Sequence, residues 1–130
     1  MLAEAGENET NILQTLNKEA VNFSFLPNIN NKISIFSKLK AVSSVITLEK
    51  TARLSFQKIE MPDSAKILLV ACHLVAKNNY SNADQNISIT QTIRHILEVE
   101  KTENCKNTIV IGDFNMNPFE KPMVKTTGFH

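Results

Sequence analysis

Hydrophobic positions in this chain change period several times, and each change marks an element. Residues 66–74 are almost unbroken apolar, the pattern of a strand covered on both faces. Residues 53–59 alternate Leu54 and Phe56 with Arg53, Ser55 and Gln57, which predicts a strand with one wet face. Residues 22–26 place Phe23 and Phe25 among polar neighbours, a half-buried strand. Residues 33–37 and the β-branched run 42–48 predict two more strands, and residues 1–5 form the end of another. The period becomes helical twice. Ile12, Leu13, Leu16 and Ala20 form one apolar face behind a cap at Asn8 or Thr10. Ile89, Ile93, Ile96 and Leu97 form the buried side of a longer helix, running from a Ser81–Asp84 capping signal to Glu103. Residues 27–31 and 61–64 read as turns, 75–82 as a polar loop and 104–107 as a helix stop. Residues 108–112 are a second central strand.

The order is strand, helix, several strands, helix, strand. Successive strands predict antiparallel pairing, and the long helix before residue 108 acts as a crossover. That is a mixed sheet with helices outside. Both central strands end in polar residues, His73 on one and Asp113 on the other. Strand ends at one rim are where open sheets place their sites.

Composition narrows the class. The 130 residues are 42% hydrophobic and 21% charged, enough for one folded domain. A net charge of +1 gives no global field for nucleic acid, so such a substrate would need a local basic patch. A separate reading as a nucleic-acid-binding module lacks a basic-aromatic stripe. No apolar run reaches bilayer length, and Met1-Leu2-Ala3-Glu4 lacks the regions of a signal peptide. Cys72 and Cys105 lie far apart and outside any C-x-x-C. Both are read as reduced, with Cys72 in the core and a cytoplasmic setting.

The chemistry concentrates at Gly112-Asp113-Phe114-Asn115-Met116-Asn117-Pro118. On an extended chain Asp113 and Asn115 share a face. One can bind a cation or take a proton, and the other can donate amide hydrogen bonds, a pairing suited to phosphate. A calcium loop starting at Asp113 would require Gly at its sixth position and Glu at its twelfth. The chain has Pro118 and Val124 there.

Gly112-Asp113-Phe114-Asn115 with Pro118, preceded by a helix and by a strand ending Ala71-Cys72-His73-Leu74, resembles the endonuclease/exonuclease/phosphatase superfamily. Leu2-Ala3-Glu4 resembles that family's metal-binding Glu segment, and residues 32–38 resemble the strand after it. The resemblance implies an α/β (α+β) fold: part of a four-layer α/β/β/α sandwich with mixed, largely antiparallel sheets and outer helices. It also implies hydrolysis of a phosphodiester or phosphomonoester by activated water, with Mg2+, or Mn2+ or Ca2+ in its place. Glu4 and Asp113 would hold the metal. Asp113 would orient or deprotonate the water. Asn115 would bond the phosphoryl oxygens, and His73 would donate a proton or hydrogen bond to the phosphate. Gly112 would permit close approach, while Asn117 and Pro118 shape the loop. Lys77, Asn78, Asn79 and Tyr80 could line a groove. Arg94 and His95 read as surface or packing residues, and Cys105 receives no role.

The family pattern also has an Asn on a strand before the Glu and an Asp-His pair near its end. This chain has neither, and His130 is not assigned the catalytic role. The expectation is a single, truncated domain over residues 1–130, with exposed sheet edges open to self-association. The substrate is open between nucleic acid, lipid and sugar phosphate. The alternative is a fragment that keeps the fold as a non-catalytic binding or structural module.

Overall fold

The computed structural model describes residues 2–3, 8–19, 22–26, 32–39, 53–76, 78 and 80–124. In chain order the elements are β1 (Leu2–Ala3), α1 (Glu9–Leu16), β2 (Ser24–Leu26), β3 (Ile33–Ser37), β4 (Leu54–Glu60), β5 (Lys66–His73), α2 (Asn82–Thr102), β6 (Thr108–Asp113) and α3 (Lys121–Val124). They form two three-stranded sheets, ordered β1-β3-β2 and β4-β5-β6. All pairs are antiparallel except β5–β6, which is parallel and bridged by α2. This is the mixed sheet with a crossover helix that the element order predicts.

β5 holds the layers together because its side chains alternate between two cores. Leu68, Val70 and Cys72 join Leu54, Phe56, Ile89, Ile96 and Val99 in a cluster between the sheet and α2. Ala71, with Ile67 and Leu69 packed alongside, joins Ile59 and Leu26, Ile33 and Ile35 of the other sheet. The near-continuous apolar run of β5 thus reports two covered faces. On the β1-β3-β2 sheet, Ser34 faces away from Ile33 and Ile35 and donates to the Glu9 carboxylate of α1 at 2.5 Å.

Local signals act as read at several boundaries. Ser81 and Asp84 form a reciprocal capping box at the start of α2. Asn104, at φ 48°, ends the helix in the left-handed region that Asn tolerates. The turn at residues 61–64 closes with a Ser64 N–H bond to the Met61 carbonyl at 2.9 Å. Asn8 occupies the cap position of α1, but its side chain makes no capping bond.

Three expectations are corrected. The wet face of β4 is dry: Ser55 and Gln57 are 4% and 1% exposed. They share a face with Ile59, over which the other sheet stacks, so polarity there does not mean solvent. On α2, Leu97 is exposed and Val99 is buried instead. The buried stripe runs Gln85, Ile89, Thr92, Ile96, Val99, a helical spacing that passes Leu97 by. Among the described residues β6 is an outer strand rather than a central one, with Ile109 half exposed. The turn at 27–31 and the strand at 42–48 lie outside the described residues.

Candidate active site

The parallel ladder between β5 and β6 pairs Cys72 with Gly112 and His73 with Asp113. Strands 40 residues apart in sequence thereby end side by side. The ladder runs one step further, where the Leu74 N–H donates to the Asp113 carbonyl at 2.8 Å. Across β5 the antiparallel partner of Cys72 is Leu54, so Arg53 stands opposite His73. The His73 N–H donates to the Arg53 carbonyl at 3.0 Å, and the Arg53 guanidinium reaches the His73 carbonyl at 3.4 Å. Register partners share a sheet face, so Arg53, His73 and Asp113 form one row. Ala71, two residues before His73, belongs to the core between the sheets, so this row is on the side toward the other sheet. Arg53 was missed in the sequence because its place depends on the β4–β5 register.

Gly112 makes the close pairing possible. Its φ is +155°, and a Cβ built there would lie 1.9 Å from the Cys72 carbonyl oxygen. Only a residue without a side chain fits at that step. Beyond it the chain turns sharply. Asp113 Oδ1 accepts the Asn115 N–H at 2.9 Å, an Asx turn. Asn115 takes a left-handed φ of 51°, so the extended chain on which Asp113 and Asn115 would share a face is replaced by a turn that begins where β6 ends. Its Nδ2 donates to the Leu74 carbonyl at 3.0 Å, tying the loop after β6 to the loop after β5. One of its two amide hydrogens is thus used within the fold. Asn117 and Pro118 shape the loop: Asn117 Oδ1 accepts the Phe119 N–H at 3.0 Å, and Glu120 returns a carboxylate to the Asn117 N–H at 3.3 Å.

The Asp113 carboxylate is exposed, whereas the neighbouring Cys72 is fully buried. Burial, followed by the charge of Asp113, pushes the Cys72 thiol up to about 12. A thiol held protonated is no nucleophile. Cys105 is also buried, and both cysteines are free.

The structure therefore brings His73, Asp113 and Asn115 to one rim. Glu4, Lys77, Asn79 and His130 lie outside the described residues. Asn78 and Tyr80 are exposed, Arg94 is exposed, and His95 is half buried on α2. Among the described residues no three His, Cys, Asp or Glu side chains cluster around a common point. Asp113 and Asn115 offer hard oxygen donors, the kind that suits a cation keeping most of its water. No helix among the described residues is long and apolar enough to cross a membrane.

No family model matches the chain, and no curated protein does. Among solved structures it is similar to the catalytic domain of human Nocturnin, determined with a bound sulfate anion, at 18% identity and a TM-score of 0.59. The likeness covers 88% of this chain and 50% of that one, so the chain spans half of its neighbour's length. The α/β fold expected from the motif resemblance is thus the fold observed, and it is similar to that of the Nocturnin catalytic domain.

Proposed function

We propose that this chain carries part of the active site of a divalent-metal-dependent phosphoesterase. The observation that supports it most is the pairing of His73 with Asp113 at the rim where Asn115 closes the turn. The bound sulfate of the Nocturnin domain, a tetrahedral anion of phosphate's shape, supports a phosphate-handling fold. Asp113 orients the attacking water and accepts its proton. The remaining Asn115 N–H bonds a phosphoryl oxygen without charge repulsion. His73 donates a hydrogen bond to the phosphate, a role an imidazole fills near neutral pH. Glu4 and Asp113 would hold the cation. Mg2+ suits carboxylate oxygens, and when bound it polarises the phosphoryl oxygen and offsets the charge developing on it. Two free buried cysteines fit a reducing, cytoplasmic setting. Pairing of an outer strand such as β6 with a second copy belongs to the same proposal.

The bond from Asn115 Nδ2 to the Leu74 carbonyl favours a second reading. In it Asn115 staples two loops, and the chain is a non-catalytic module that keeps the fold. Hydrolysis of a phosphodiester with and without Mg2+ separates the two. The catalytic reading expects Asp113→Ala and Asn115→Ala each to lower the Mg2+-dependent rate at least about a hundredfold. Turnover unchanged in both variants would sink it.

A further inference from the structure

Gln85 is an amide in an apolar position. It is 0% exposed, and neither Oε1 nor Nε2 has a hydrogen-bond partner among the described residues. It heads the buried stripe of α2, followed by Ile89, Thr92, Ile96 and Val99. An aliphatic residue would extend that stripe without the desolvation cost of an unpaired amide. Such groups in native proteins call for a specific partner, commonly enclosed water.

Its place in the fold indicates what that partner serves. The 21 residues of α2 cover about 31 Å, against about 26 Å for the eight residues of β5. The end of α2 is tied near the start of β5. Lys58, the register partner of Leu68, pairs with Glu103 at 3.2 Å, and Cys105 Sγ donates to the Lys66 carbonyl at 3.5 Å. Gln85, near the opposite end of the helix, therefore lies at the end of the sheet that carries His73 and Asp113. The chain leaving Asp113 covers the same region. Phe114, Met116 and Met123 pack on the cluster holding Leu74 and Ile89, and α3 touches α2.

We propose that Gln85 is a positioning residue that holds the main chain of residues 114–117 through an enclosed water. The amide supplies two donors and one acceptor, and a bridging water needs two or more polar partners. The loop it steadies carries Asn115, directly after Asp113. The contact stands independently of the proposed function, whereas its consequence for the rate rests on that reading.

Amide hydrogen exchange on Gln85→Met tests the contact. Met matches Gln in length and removes every polar atom. Protection of the 114–117 amides is expected to fall about tenfold beyond any change in the β5 amides, which report the global fold. Gln85→His, which keeps a donor and an acceptor, is expected to recover part of it. In the phosphoesterase assay Gln85→Met lowers kcat and leaves KM nearly unchanged. Exchange that moves only in step with β5, or a His variant no better than Met, overturns the proposal. If the Met variant does not fold, Gln85→Leu carries the comparison, and failure of both assigns the amide a purely structural role and overturns it too. A wild-type protein without activity sinks the proposed function alone, since the exchange measurement still decides Gln85.

Discussion

His73 and Asp113 are register partners across the parallel β5–β6 pair, and the carbonyl of Asp113 takes the next N–H, that of Leu74, at 2.8 Å. Main-chain bonds therefore fix the two residues relative to each other. A site built on strand ends inherits the rigidity of the ladder, and in the proposed reading a phosphate would meet groups that need little reorganisation.

That rigidity makes Gly112 the most sensitive position near the site. Gly112→Ala puts a Cβ 1.9 Å from the Cys72 carbonyl oxygen, at a φ of +155°. The strands must part to admit it. The expected loss is about 3 kcal/mol or more, seen as a lower urea midpoint. A midpoint equal to wild type would mean that β6 does not pair this tightly.

His73 is half buried, and its backbone is already held by Arg53 and by the ladder. His73→Gln keeps a donor and leaves these main-chain bonds alone. We expect the thermal midpoint to change by no more than a few degrees, while the Mg2+-dependent hydrolysis rate falls about 10²-fold or more. A rate that survives the substitution would remove His73 from the chemistry. A collapse in stability instead would assign it to the core.

Cys72 predicts a pH dependence with a definite sign. Its thiol is pushed up to about 12 from an ordinary 9.0, by burial first and by the Asp113 charge second. The folded state thus keeps a proton that the unfolded state releases. Stability from this group is complete below about pH 9 and falls as pH rises toward 12, with a slope of up to about 1.4 kcal/mol per pH unit. Urea midpoints at pH 8 and pH 10 measure it, with Cys72→Ala as the control that isolates the thiol from lysine and tyrosine titration. Parallel losses in both proteins would show that the thiol is not the cause.

How legible the fold was varied with the kind of signal. The apolar run of β5 and the Ser81–Asp84 box were readable because each depends on neighbours in sequence. Ser55 and Gln57 were misread for the opposite reason. Alternation says which residues share a face, and whether that face is wet depends on a second sheet joined far away in the chain. Leu97 and Val99 were exchanged because a four-residue apolar pattern leaves the helix rotation loose by one position. For the candidate site, Asp113 was legible as the polar end of an apolar strand and His73 likewise, whereas the shared extended face read for Asp113 and Asn115 was not, because the chain turns at Asn115 with φ 51°. Arg53 was not, since no local pattern couples residue 53 to residue 73. Gln85 was equally silent, since an amide near the start of a helix looks like a solvated residue until its burial is known.

The sequence by itself determined the strands β4, β5 and β6, the helix α2 with its capping, the burial of Cys72 and the polar motif that follows β6. These follow from side-chain chemistry and from periods of two and 3.6 residues, which act over a few positions. Only the tertiary structure decided that Arg53, His73 and Asp113 stand in one row, that the inner face of β4 is dry and that Gln85 is enclosed at the site's end of α2. Each depends on strand register or on one layer covering another. Such contacts join residues tens of positions apart, and their free energy is realised only when the whole core closes.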